Sequence, residues 1–208
     1  MTTSHPQSYR HLCTRCLRSE SVCYCADITP FETNCRFVIL QHPRERRNTI
    51  GTARLTHLFL KNSKLIVGGS FDQDEEVNAI LNNPDLFSVV LYPGTDSISI
   101  ESETIPNGDK TLVIFVIDGT WAQAKTMLRR SPKLNLIPKI CFHPTTPSLY
   151  TVRRQPHAYC LSTIEATQRL IQILDPKAPS QALIQIFTRL VDFQIECGKR
   201  NELREAQL

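Results

Sequence analysis

Two periodicities alternate along this chain. Unbroken apolar runs of strand length are followed by segments whose apolar residues recur every three or four positions. Arg36-Phe-Val-Ile-Leu-Gln41, Leu65-Ile-Val-Gly-Gly69, Phe87-Ser-Val-Val-Leu-Tyr-Pro93 and Thr111 to Ile117 read as strands. Leu136 to Phe142 reads as another, with Pro138 marking an edge position or a strand start. Between them, Leu55, Leu58 and Phe59 share a helical face behind Asn48 or Thr49 as cap, and Val77, Ile80 and Leu81 follow a capping box of Asp72 and Glu75. Trp121, Ala124 and Leu128 follow a box of Thr120 and Gln123, and Pro132 stops that helix. Leu170, Ile171 and Leu174 follow Ser162 and Glu165, and Leu183, Phe187, Leu190 and Val191 follow Pro179 and Ser180. His42 to Arg47 reads as a loop, and the polar stretch from Gly94 to Lys110 receives no assignment. Strands that are apolar throughout are covered on both faces, so the alternation predicts an α/β fold, a largely parallel sheet covered by helices.

Length and charge sharpen this. With 208 residues, 41% of them hydrophobic, the chain can bury the core of one α/β domain with a small appendage. No apolar run approaches the roughly 18 residues of a membrane span, and residues 1–30 lack the apolar stretch of a secretory signal, so a soluble, cytoplasmic protein is expected. The net charge of +4 is unevenly spread. From Leu65 to Lys110 there are nine acidic residues and one basic one, whereas Gly119 to Ile164 holds Lys125, Arg129, Arg130, Lys133, Lys139, Arg153 and Arg154 and no acid. Such a stretch suits a polyanion, nucleic acid foremost; a solvated basic face is the plain alternative.

Three groups of residues carry candidate chemistry. Cys13-x-x-Cys16 and Cys23-x-Cys25 place four thiols within 13 residues, a density that suits a closed tetrahedral zinc site, while the spacing does not match the ferredoxin runs. The scattered Cys35, Cys141, Cys160 and Cys197 read mostly as small buried hydrophobes. In Val113-Ile-Phe-Val-Ile-Asp118-Gly-Thr120-Trp121, a strand runs into a carboxylate, a turn glycine, a capping hydroxyl and the single tryptophan. Ligand sites of open α/β sheets lie at such strand ends. Asp118 there can be a general base, an acceptor for a ligand amine or hydroxyl, or a turn former. Thr120 and Ser162 are ordinary caps whose helix starts also suit an anion. Tyr150-Thr-Val-Arg153-Arg154 joins an aromatic ring to two guanidiniums, which can meet phosphates or an unpaired base. No P-loop, G-x-G-x-x-G or G-x-S-x-G is present, which demotes nucleotide hydrolysis, dinucleotide redox and α/β-hydrolase chemistry.

Several of these elements occur together in order: the four cysteines with Arg15 between the first two, His42-Pro43-x-Glu45, Thr52-Ala53-Arg54, Leu91-Tyr92-Pro93-Gly94, Asp118-x-Thr120-Trp121, Tyr150-x-x-Arg153 and Ser162-Thr163-x-Glu165-Ala166. Across residues 13–175 the chain thereby resembles the DTW-domain family, tRNA-uridine aminocarboxypropyltransferases related in fold to the SPOUT class. The resemblance implies a SPOUT-like sheet with a C-terminal knot over residues 31–208 and a four-cysteine zinc element over 1–30. It implies transfer of the 3-amino-3-carboxypropyl group of S-adenosylmethionine to N3 of a tRNA uridine, releasing methylthioadenosine. On the matching positions, Asp118, Thr120 and Trp121 are the implied catalytic residues. Leu91, Tyr92, Pro93, Gly94, Asp118, Thr120, Leu161, Ser162, Thr163 and Glu165 are the implied donor contacts. Arg54, Lys125, Arg129, Arg130, Tyr150, Arg153 and Arg154 are the implied RNA contacts, and Cys13, Cys16, Cys23 and Cys25 the zinc ligands. Two alternatives share these features: a SPOUT-type RNA methyltransferase and a non-catalytic zinc-containing RNA-binding protein.

Overall fold

The computed structural model describes residues 11–47, 51–152 and 160–205. Its six strands are β1 (Arg36–Gln41), β2 (Ser63–Val67), β3 (Leu86–Leu91), β4 (Ile98–Ser99), β5 (Thr111–Asp118) and β6 (Lys139–Cys141). All pair in parallel in the order β2-β1-β5-β3-β6-β4. The helices are α1 (Thr52–Phe59), α2 (Glu75–Leu81), α3 (Trp121–Arg129), α4 (Pro132–Leu136), α5 (Thr163–Leu174) and α6 (Gln181–Glu205).

Strand periodicity explains the two layers around the sheet. Along β5, Leu112, Ile114 and Val116 face one core with α1, α5 and α6, while Val113 and Phe115 face a second with α2, α3 and α4. Both faces are buried, so β5 is apolar at nearly every position. At roughly 1.5–3 kcal/mol for each fully buried large side chain, these two layers supply the main drive for folding.

The connections create a crevice. From β1 the chain passes through α1 to β2 at one edge; from neighbouring β5 it passes through α3 and α4 on the opposite face to β6 beyond β3. Adjacent strands whose helices leave on opposite faces mark a topological switch point, and open α/β sheets bind ligands beyond the carboxyl ends of their strands. Gln41 and Asp118 are register partners at that point.

Local signals mostly hold, with four corrections. First, α1 starts at Thr52 behind Gly51, which makes no side-chain cap bond; the expected caps Asn48 and Thr49 lie outside the described residues. Second, the cap of α2 is Asp74, whose carboxylate accepts the Val77 amide at 3.0 Å; Asp72 instead accepts the Lys133 amide at 3.0 Å. Third, the unassigned stretch hides β4 and buried Ile100 and Ile105. Fourth, Pro132 does not only end α3: it opens α4 at the first helical position, where its missing N–H costs nothing. Pro138 does precede a strand start, but β6 is an inner strand between β3 and β4. No described helix is long and apolar enough to cross a membrane.

The cysteine-rich segment is a short hairpin closed by a Leu12–Ser19 bridge, followed by 3-10 turns at Glu20–Val22 and Cys25–Asp27. Leu17 adopts φ 59° as its amide bonds to the Cys13 carbonyl at 2.8 Å, a left-handed turn that brings the thiols together. Ile28 and Phe31 enter the main core, and Arg189 of α6 pairs with Asp27 at 3.1 Å.

Candidate active site

A cavity of about 530 Å³, within the range of small-molecule sites, lies at the carboxyl ends of β3, β5 and β6. Each neighbouring element contributes one polar or aromatic group. Asp118 ends β5 at 7% exposure, and its donors among the described residues include Gln41 Nε2 to Oδ2 at 2.9 Å and Thr163 Oγ1 to Oδ1 at 2.5 Å. A buried carboxylate without such donors would cost several kcal/mol. The Asp118 carbonyl meanwhile accepts the His42 amide at 2.8 Å, tying β1 to β5 past their last rungs.

Gly119 sits where Gln123 approaches closely. A Cβ there would lie 3.2 Å from Gln123 Oε1, the oxygen that accepts the Thr120 amide at 2.7 Å, while Thr120 Oγ1 accepts the Gln123 amide at 3.3 Å. This reciprocal box fixes the start of α3 and turns Trp121 toward the cavity. Its ring meets Tyr92 edge-on at 6.2 Å and 64°, and Nε1 donates to Cys160 Sγ at 3.3 Å. Trp121 remains 46% exposed. Leaving about half an indole in water forfeits on the order of 2–3 kcal/mol of burial, which a flat apolar ligand face recovers.

The far wall comes from α5. Glu165 is 6% exposed and accepts the Ser162 amide at 2.8 Å and hydroxyl at 2.6 Å, the Ser148 hydroxyl at 2.8 Å and the Leu149 amide at 2.7 Å. One carboxylate thus clamps the loop after β6 to the N-terminus of α5. Glu165→Ala should orphan these donors and cost about 2–4 kcal/mol, near 1–3 kcal/mol for each buried donor left unpaired after partial relaxation. Chemical denaturation checks this; a variant within 0.5 kcal/mol of the parent, on the order of a neutral surface change, would show that the clamp is dispensable.

Expected site residues therefore separate. Leu91, Tyr92, Pro93, Asp118, Thr120, Trp121, Leu161, Ser162 and Thr163 line the cavity together. Gly94 and Glu165 do not line it. Tyr150 lines it but is buried, its ring edge-on to Phe187 at 5.4 Å, so it offers no exposed stacking face. Lys125, Arg129 and Arg130 are exposed on α3 and its C-cap, Arg54 lies on α1, and Arg153 and Arg154 lie outside the described residues. Of the scattered cysteines only Cys35 is buried, where burial pushes its thiol up to about 11; Cys141 and Cys160 line the cavity. Gln41 escaped the sequence reading. Its only signal was a polar residue closing an apolar strand.

The four N-terminal thiols fit a metal. Their sulfurs lie within 4.8 Å of one another, with Cys13–Cys25 at 3.8 Å and Cys16–Cys23 at 3.6 Å. A tetrahedron with Zn–S near 2.3 Å has S–S edges of about 3.8 Å. Backbone amides of Cys16 and Arg15 draw the Cys13 thiol down to about 6, whereas burial pushes Cys16 and Cys25 up. A divalent cation favours the thiolate at all four.

A parallel α/β sheet with a ligand cavity at its strand ends, a buried carboxylate before a half-exposed tryptophan, and a four-thiol cluster that could hold a metal define a small-ligand-binding α/β domain. The chain belongs to the DTW domain family, whose model matches residues 10–195. It is 31% identical to tRNA-uridine aminocarboxypropyltransferase 2 of Drosophila melanogaster, over 94% of this chain and 80% of that protein. It is 27% identical to the Mus musculus protein of the same name, over 94% of this chain and 67% of that one. With tRNA-uridine aminocarboxypropyltransferase A of Arabidopsis thaliana it shares 24%, over 89% of this chain and 81% of that protein. No solved structure matches the chain.

Proposed function

We propose that this protein transfers the 3-amino-3-carboxypropyl group of S-adenosylmethionine to N3 of a uridine in tRNA. The observation that carries the reading is Asp118, a buried carboxylate on the floor of the cavity beside the half-exposed Trp121, in a chain whose relatives are named for that activity. Bound S-adenosylmethionine supplies a sulfonium whose thioether leaves neutral, so departure needs no acid. The protein's part is to align donor and acceptor and accept the imide proton.

Asp118 fits the proton acceptor or the anchor of the donor amine. Tyr92 and Trp121 offer flat apolar faces to the adenine, with Leu91, Pro93, Leu161 and Cys160 around them. The helix start at Ser162 and Thr163 suits the donor carboxylate, and Thr163 also orients Asp118. In this reading Glu165 and Gly94 shape the donor site from behind it, and Thr120 sets the position of Trp121. Lys125, Arg129, Arg130, Arg54, Arg153 and Arg154 meet the RNA backbone. Cys13, Cys16, Cys23 and Cys25 hold a structural zinc in the element formed by residues 1–30, with the catalytic domain over 31–208. A SPOUT relationship with a C-terminal knot belongs to the same reading.

The test is mass analysis of nucleosides from tRNA incubated with the purified protein and S-adenosylmethionine. A uridine heavier by the aminocarboxypropyl arm, with methylthioadenosine released, is expected. A methylated uridine, or unmodified tRNA that still binds, would replace this function with one of the two alternatives.

A further inference from the structure

A second cavity of about 540 Å³ lies on the other side of Gln41, between the cysteine hairpin and α1. It and the first are divided by one hydrogen-bonded pair, since Asp118 lines the first and Gln41 the second. Gly51 and Thr52 divide in the same way.

Its chemistry is unlike that of the first. Arg18, Arg46 and Arg54 line it, and none of its described lining residues is acidic. Arg18 Nε and Nη1 are buried and, among the described residues, have no hydrogen-bond partner. The Arg18 guanidinium lies 5.2 Å from the centre of the Tyr24 ring, which fixes its plane but takes none of its donors. A zinc held by the four thiolates would offset part of the positive charge, yet no described sulfur accepts from Arg18. Gln41 is 2% exposed and its Oε1 also lacks a partner among the described residues. Because Nε2 must face the Asp118 carboxylate, Oε1 is turned away from it, and the amide cannot be flipped without setting oxygen against oxygen. Buried donors and acceptors left open cost about 1–3 kcal/mol each, and three of them belong to residues that line this pocket, so a ligand whose groups reach them recovers that cost.

That ligand must offer an anion to the guanidiniums, a donor to Gln41 and an apolar face to Leu55 and Leu58. A nucleotide of an RNA strand has all three: its phosphodiester, its 2′-hydroxyl or base N–H, and its base. We infer that the second cavity holds the tRNA nucleotide next to the acceptor uridine. Arg18, Arg46 and Arg54 grip its phosphates, and Gln41 couples its seating to the orientation of Asp118. The inference rests on the RNA-modifying reading above. It makes the cysteine hairpin one wall of the RNA site rather than a remote brace.

Binding of tRNA in the absence of S-adenosylmethionine, measured across a salt series with the melting temperature of each variant, tests it. Arg46→Ala with Arg54→Ala should weaken tRNA about 10-fold or more and lower the salt slope by about two, while S-adenosylmethionine binding and melting stay at parental values. Arg18→Met keeps the stem over Tyr24 and removes the unsatisfied charge. It should leave the melting temperature equal or higher while tRNA affinity falls several-fold. A purely structural Arg18 would give the reverse, a lower melt and unchanged affinity. Should the double variant melt early, Arg46→Ala alone, at an exposed position, decides through a slope change of about one. Wild-type affinity and slope in folded variants overturn the subsite. If the wild-type protein yields no aminocarboxypropyl uridine but binds tRNA through these arginines, the transfer reading fails and the subsite stands.

Discussion

Asp118→Asn should slow transfer by about 100-fold or more under single-turnover conditions with both substrates saturating, the usual scale for a lost acid-base group. The variant should fold normally, for a reason visible in the bonds of Asp118. Gln41 Nε2 needs an acceptor, which the Asn carbonyl oxygen supplies, while Thr163 Oγ1 can rotate to accept from the Asn amide nitrogen. Shape and both of these hydrogen bonds survive, while the charge goes. A rate within a few-fold of the parent, with an unchanged melting temperature, would leave Asp118 as a residue that ties β1, β5 and α5 together and remove it from the chemistry.

The second large effect is expected at the cysteine hairpin. Cys16→Ser should abolish stoichiometric zinc and lower the melting temperature by roughly 10 °C or more, since about 4 kcal/mol of lost stability corresponds to 2–4 °C per kcal/mol in a chain of this size. S-adenosylmethionine should still bind, because its cavity is built from β3, β5, α3 and α5. Binding of tRNA should weaken, because Cys16 lines the second cavity. Elemental analysis of native protein purified without chelator measures the metal directly. A metal-free protein with full stability would dispose of the zinc site.

Much of this was legible from residue order. The strand-turn-helix at Asp118 was readable because its parts are local: an apolar run, a turn glycine closely approached by Gln123, and a capping hydroxyl three residues before its partner. The same holds for Ser162 with Glu165, and for four cysteines clustered within 13 residues. Where two local candidates competed, the sequence misled. Asp72 and Asp74 are both caps by composition, and the distant Lys133 decided between them. The two-residue β4 carries too few positions to show a period.

By itself the sequence determined the α/β class, the strands and most helix starts, the thiol cluster and the carboxylate at the end of β5. These depend on interactions between residues a few positions apart, which spacing records. Only the tertiary structure decided the strand order that places β1 beside β5, and with it the meeting of Gln41, Asp118 and Thr163 across 77 and 45 positions of chain. It likewise turned Trp121 outward and Tyr150 inward, and set Arg18 unsatisfied beside Gln41. Burial and hydrogen-bond completeness belong to whatever surrounds a side chain, and for these residues those surroundings arrive from distant segments through packing.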